Sequence, residues 1–270
     1  MKPARKLKDI VRRLTARDER VPPALHANTF VQPGNQWYQP MLGGALTLAP
    51  FITGEAVVRE ALQVLERLTT DAYADFVREF YRSGLQKFAS GWQYADINTA
   101  LLALSRVLAP ADYLEIGVRR GRSLAMVASR APECRIVACD LFLDNYANME
   151  NPGPDFVRSE LARVGFGGSI QFVIGDSAAV LPPYFEQHPD LFFDLITVDG
   201  DHTERGARID LQNVLPRLKI GGALVFDDLS NSAHPELERV WEVTVVADRR
   251  FSTFSFTDVG FGVGIAVRRE

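Results

Sequence analysis

The sequence predicts an α/β fold: a doubly wound, mostly parallel sheet of seven strands with an N-terminal helical lobe. Three observations carry this. From Ile97 onward, short apolar runs alternate with longer amphipathic runs, as the strands and crossover helices of a parallel sheet do. The apolar runs repeatedly end in or lead to acids. A glycine-containing turn, Gly117 to Gly121, leads directly from the first run into a helical pattern.

Taken in order, the apolar runs predict strands at 112–116, 135–140, 170–174, 193–199 and 223–227. Helices are expected between them at 123–130, 155–164, 177–181 and 205–218, with Gly221 and Gly222 ending the last before its strand. The runs 251–256 and 261–267 flank a Gly-containing turn and predict two closing strands, an antiparallel hairpin. Upstream, residues 55–68 and 72–81 carry helical spacing, and a Pro- and Asn-containing loop precedes them around residues 33–40. Residues 1–91 are therefore expected to form a helical extension or cap, and residues 92–270 the ligand-binding domain. No internal repeat competes with this reading.

A chain of 270 residues with 47% hydrophobic content can bury one full core and still build an added lobe. Its net charge of -4 gives no general attraction to phosphate backbones or anionic lipid, although the first twenty residues are locally basic. Nucleic acid and membrane are not expected partners. Cys134, just before one predicted strand, and Cys139, near its end, stand at an odd offset, so they point to opposite faces and predict free, buried thiols in a reducing compartment. Lys and Arg interrupt the apolar residues of 1–20, and no stretch reaches the roughly 20 apolar residues of a membrane helix. A cytoplasmic protein is expected. The basic, aromatic-containing N-terminal region offers a contact for a homo-oligomer.

Ligands of open α/β sheets bind outside the carboxyl ends of the strands. There the sequence places Glu115, Asp140, Asp176, Asp199 and the pair Asp227-Asp228. Singly, each has an ordinary explanation: Asp176 or Ser177 can cap a helix, Asp201 can cap the helix near Thr203, and Asp228 can cap the segment before Pro235. Together in one crevice they repel one another unless a cation or ribose hydroxyls compensate. The turn itself does not fit the dinucleotide pattern, because Gly117 and Gly121 are spaced Gly-x-x-x-Gly and no third packing glycine follows.

The string from Tyr113 through Glu115, Gly117 and Gly121 to Ser123 resembles the first motif of class I S-adenosylmethionine-dependent methyltransferases. That resemblance implies a Rossmann-like methyltransferase fold over roughly residues 92–267. It also implies a cofactor site in which Glu115 and the Gly117/Gly121 loop hold the amino-acid end, Ser123 is a further cofactor contact, Asp140 accepts from the ribose hydroxyls, and Gly175, Asp176 and Ser177 meet the adenine. The segment from Leu195 to His202, followed by Leu224 to Asp228, is similar to the metal-dependent O-methyltransferases of the catechol, caffeoyl-coenzyme A and macrolide-sugar types. By that likeness Asp199, Asp227 and Asp228 would bind Mg2+ or a similar divalent ion, whose hard character suits oxygen ligands. His202 stands where catechol and caffeoyl-coenzyme A relatives often carry a lysine base, so His202 and Asp199 are the two candidates for general base.

The implied reaction is methyl transfer to a hydroxyl of a small molecule: a sugar, a phenol or a natural product. Two alternatives remain open at this level, a metal-dependent hydroxylase on the same fold and a non-catalytic cofactor-binding protein. Trp37, Tyr38, Trp92 and Tyr94 are candidate substrate or cofactor contacts, with core packing as the other fate for such aromatics.

Overall fold

The computed structural model describes residues 26–28, 30, 41–145 and 150–270. Trp37, Tyr38 and the basic segment 1–20 lie outside the described residues.

Among the described residues four α-helices precede the sheet: α1 (Ala45–Thr53), α2 (Glu55–Arg67), α3 (Ala72–Phe88) and α4 (Ile97–Leu108). The alternating part follows as β1 (Asp112–Ile116), α5 (Arg122–Ala128), β2 (Arg135–Asp140), α6 (Pro154–Arg163), β3 (Ser169–Ile174), α7 (Ser177–Gln187), β4 (Phe193–Val198), α8 (Glu204–Val214) and β5 (Leu218–Asp227). A short helix α9 (Glu236–Trp241) then leads to the hairpin β6 (Phe251–Phe256) and β7 (Val263–Arg268). The seven strands lie in the order β3-β2-β1-β4-β5-β7-β6, parallel from β3 to β5, with β7 antiparallel to both of its neighbours. The expected α/β sheet and its closing hairpin are both met.

Strand alternation sorts the core into two layers. Tyr113, Leu195, Val225 and Ile265 face a cluster built with α1 to α6, whereas Leu114, Ile196, Leu224 and Phe226 face a cluster built with α7, α8 and α9. The N-terminal helices thus share one apolar cluster with a face of the sheet. Cys134 falls in the first cluster and Cys139 in the second, and both thiols are free, as their odd offset predicts. Burial pushes each of them up to about 12. Among the described residues no helix is long and apolar enough to cross a membrane.

Several boundaries differ from the sequence reading, the helix expected at 72–81 running on to Phe88 and that expected at 205–218 ending at Val214, and two of the differences have a clear physical cause. α7 continues through Pro182 and Pro183 to Gln187, because burial of Leu181, Tyr184 and Phe185 against the sheet offsets the hydrogen bonds that two prolines remove. Gly221 and Gly222 do not end a helix but sit inside β5, which starts at Leu218. The strand bulges there, its register against β4 shifting between Phe193 and Leu195. Ala27 donates to the Ile220 carbonyl at 2.5 Å, and a Cβ on Gly221 would lie 1.6 Å from the Ala27 oxygen. The glycine answers a contact almost two hundred residues away in sequence.

The strand ends that matter most are those of β1 and β4. Asp199 N donates to the Ile116 carbonyl at 2.9 Å, and Gly117, at φ +90°, runs so close to β4 that a Cβ would lie 1.8 Å from the Asp199 oxygen. Only a residue without Cβ, tolerant of left-handed backbone, fits there. Gly117→Ala is expected to lower stability by more than about 3 kcal/mol, combining overpacking against backbone with left-handed strain. Urea unfolding measures it, and a curve superimposable on that of the wild type would exclude the contact.

Candidate active site

A cleft of about 800 Å³ opens at the carboxyl ends of the parallel strands. All the sequence-predicted site residues except Glu115 and Gly121 line it. Gly121 packs beneath Val157, whose Cγ1 lies 2.9 Å from where a Cβ would sit. Glu115 is fully buried behind the loop. Its Oε1 accepts from Ser123 Oγ at 2.6 Å and its Oε2 from the Tyr113 hydroxyl, which also meets Thr197 Oγ1 at 2.7 Å. Burial pushes the Glu115 carboxyl up to about 8, only partly opposed by these two donors. Glu115 therefore reaches the cleft only through Ser123.

Asp140, at the end of β2, organises the loop. Its Oδ2 accepts from Val118 N at 2.7 Å and Arg119 N at 2.8 Å; its Oδ1 accepts from Phe142 N at 2.6 Å and Asn151 Nδ2 at 3.2 Å. Four donors match the four lone-pair sites of a carboxylate, so a ligand hydroxyl would compete most readily with the longest contact, that of Asn151. Asp176 caps α7 through Ala178 N at 2.9 Å. Ser177 Oγ donates to Asp210 Oδ1 at 2.6 Å, and burial lifts the Asp210 carboxyl to about 6. The helix-capping reading of Asp176 holds, and Ser177 is already engaged with Asp210.

At the ends of β4 and β5, Asp199, His202 and Asp228 come together, with their donor atoms all within 4.8 Å of one another. His202 Nε2 lies 3.3 Å from Asp199 Oδ1 and 3.3 Å from Asp228 Oδ2. Asp227 lines the cleft beside them but outside this three-residue group. Burial raises Asp227 and Asp228 above the usual carboxylate range, and the charge of Asp199 adds to both shifts. For His202, burial opposes the charged form, but the Asp199 hydrogen bond and the surrounding carboxylates outweigh it, giving a raised value. Asp228 also has a left-handed backbone, φ +65°, a conformation a non-glycine residue rarely adopts.

Part of the cleft wall is aromatic, and most of that part carries no clear signal in the sequence. Tyr73, Phe76 and Phe80 enter from α3, where their spacing reads as an ordinary amphipathic face. Burial raises the Tyr73 hydroxyl to about 12; Arg122 opposes that shift, while Asp227, Asp96 and Asp199 add to it. Tyr94 lines the cleft and donates to Asp96 Oδ2 at 3.1 Å, while Trp92 packs behind it with ring centroids 5.1 Å apart. Asp96 could have been found from its capping box with Thr99. The His234 ring lies 4.7 Å from that of His202, tilted by 30°, and belongs to the loop after β5, where no motif marks it.

Residues 114–229 match the family described as Methyltransferase domain. The chain carries a methyltransferase domain. No curated protein matches the chain. Among solved structures the methyltransferase domain and its surroundings are similar in fold to the O-methyltransferase TomG from Streptomyces achromogenes, involved in tomaymycin synthesis and solved in complex with SAM. The two are 18% identical, with a TM-score of 0.53, over 75% of this chain and 92% of that one. A methyltransferase of Podospora anserina, solved with SAH bound, is 15% identical with a TM-score of 0.50, over 79% of this chain and 88% of that one. The cofactor-bound Rv0187 from MTB is 21% identical with a TM-score of 0.50, covering 80% and 89%. Both the α/β fold and the methyltransferase class expected from the sequence are met.

The buried acid of the methyltransferase domain makes a pH-dependent prediction. Glu115 keeps its proton in the folded chain up to about pH 8, whereas its ordinary value is 4.5. The stability it contributes is thus fully present below pH 4.5 and is lost as pH rises towards 8. Glu115→Gln, which preserves the shape and can serve both neighbours, should gain stability relative to wild type as pH goes from about 5 to about 8. Urea unfolding at the two pH values checks this, and a pH-independent difference would refute it.

Proposed function

We propose that the chain transfers the methyl group of S-adenosylmethionine to a hydroxyl of a small molecule, with a divalent ion held at Asp199, Asp228 and His202. The observation that carries this reading is the joining, in one cleft of a methyltransferase domain, of the Gly117–Ser123 loop with a cluster of mutually repelling acids. The donor set suits an ion. Two ligands of an octahedral ion at about 2.1 Å lie at most about 4.2 Å apart, so donors within 4.8 Å need only a small closure. Burial chiefly raises Asp227 and Asp228, and positive charge there would relieve the repulsion by Asp199 that adds to both shifts. When bound, the cofactor supplies an electrophilic methyl group and the ion a Lewis acid that makes a hydroxyl more acidic.

The remaining steps belong to the protein's own residues. Asp140 and the loop amides it gathers orient the nucleoside end, with Asn151 as the contact most easily exchanged for a ribose hydroxyl. Gly175, Asp176 and Ser177 border the adenine side. His202, between two carboxylates, either completes the ligand set or takes the hydroxyl proton at Nε2, and Asp199 is the other acceptor. The aromatic wall of Tyr73, Phe76 and Phe80 excludes water and presents a flat apolar surface to the acceptor.

Calorimetric titration with S-adenosylhomocysteine, followed by an acceptor screen with Mg2+ or Mn2+, tests the proposal. Binding is expected, and activity should fall on chelation and return with the ion. Asp228→Ala should lower turnover by about 100-fold or more while leaving cofactor affinity nearly intact, because the loop side of the cleft is untouched. Absence of binding would overturn the cofactor reading. Activity indifferent to chelator and to Asp228→Ala would leave a metal-independent methyltransferase, and iron-dependent oxygen uptake without methyl transfer would favour the hydroxylase.

A further inference from the structure

Three arginines line the loop end of the cleft, and two of them are already paired. Arg119 Nη2 lies 3.5 Å from Asp71 Oδ2; Arg120 Nε lies 3.3 Å from the same oxygen, and its Nη1 contacts Glu150. Arg122 differs. Among the described residues it makes no hydrogen bond or ion pair, and its Nη1 is shielded without a partner. Its guanidinium lies over a ring, with the carbon 4.3 Å from the centroid of Tyr73.

A partly buried cation without a counter-ion costs desolvation energy, which a ring contact such as that with Tyr73 offsets only in part. The chain does compensate such groups elsewhere, as where buried Arg78 donates to the Leu65 and Leu68 carbonyls. The cleft also carries both signs of charge, with Asp199, Asp227 and Asp228 at the ends of β4 and β5 and Arg122 at the start of α5. Tyr73 lies within the electrostatic reach of both ends, since Arg122 and these acids act on its hydroxyl in opposite directions. A ligand that fits this field has an anionic group at the loop and cationic character towards the acids.

This inference rests on S-adenosylmethionine being the cofactor. That molecule carries a sulfonium, an ammonium and a single anion, the carboxylate of its methionine end. We propose that Arg122, held flat against Tyr73, binds that carboxylate and so fixes which way the cofactor lies in the cleft. The guanidinium fork matches a carboxylate in two parallel hydrogen bonds, and stacking on Tyr73 limits the rotamer freedom lost when they form. It also gives the amino-acid end a polar partner on the cleft wall, which fully buried Glu115 is not.

The test compares two ligands by calorimetry: S-adenosylhomocysteine, which has the carboxylate, and 5′-methylthioadenosine, which shares the adenosine and thioether but lacks the amino-acid end. Arg122→Gln is expected to weaken S-adenosylhomocysteine about 10- to 100-fold, the worth of charge-assisted hydrogen bonds, while leaving methylthioadenosine within about twofold. Arg122→Lys should restore part of the loss. Retained methylthioadenosine affinity also shows that the variant is folded. Equal weakening of both ligands would overturn the assignment, as would unchanged S-adenosylhomocysteine affinity, which would give the free cation to an anionic acceptor instead. A wild-type chain that binds neither ligand would sink the cofactor reading itself, and this assignment with it.

Discussion

The backbone contact between Gly117 and Asp199 is the constraint on which the site depends. In a sheet ordered β3-β2-β1-β4-β5, winding reverses between β1 and β4, and the two connections that leave those strands diverge to open a crevice. Here the crevice floor is closed by direct backbone approach: the Gly117 Cα faces the Asp199 carbonyl, and the Asp199 amide is tied to Ile116. The glycine loop and the acid cluster are thereby fixed to each other at a distance no side chain could bridge as rigidly. The usual account of such a glycine is that it lets a ligand approach. In this chain the space is already taken by the neighbouring strand.

Other residues of the same motif likewise work first on the protein. Glu115 binds Tyr113 and Ser123, and through Tyr113 reaches Thr197 on β4, so a buried polar network reinforces the β1–β4 junction beneath the loop. Asp140 uses both oxygens to gather the amides of Val118, Arg119 and Phe142. Such residues shape the walls that a ligand meets. Their substitution would change ligand binding even where no atom of theirs touches it, so an effect on affinity alone does not locate a contact.

Much of this could be read from the sequence, for reasons that also mark the limit. Alternating apolar runs report burial on a sheet face, and acids at the ends of those runs report where the strands stop, so the sheet and the residues Asp140, Asp199 and Asp228 were legible. Gly221 and Gly222 were misread because Gly-Gly after a helical pattern is a local stop signal, whereas the cause of Gly221 is the distant Ala27. α7 ran past its prolines because packing outweighed propensity. The joining of His202 to Asp228 needs the register of β4 beside β5, and the isolation of Arg122 is a statement about partners it lacks. Neither is a property of a short window of sequence.

The two ends of the sheet treat charge in opposite ways, and that contrast bears on function. At the amino ends of the strands, Lys219 Nζ lies 3.0 Å from Asp112 and 2.9 Å from Asp194, and Asp194 also accepts from the amides of Ala111 and Asp112 at 3.0 Å each. These charges are partnered. At the carboxyl ends, Asp199, Asp227 and Asp228 crowd together with His202, one of the acids in a left-handed conformation, while Arg122, at the start of α5 in the same cleft, has no ion-pair partner among the described residues. Folding alone would favour the first arrangement at both ends, since each unpaired or like-charged group costs free energy. The same chain shows that it can build the neutralised version. The imbalance at the carboxyl ends is therefore local, and its sense is specific: a deficit of positive charge at β4 and β5, and a deficit of negative charge at the loop. A ligand set that corrects both deficits at once, cationic beside the acids and anionic beside Arg122, stabilises the folded chain in the act of binding.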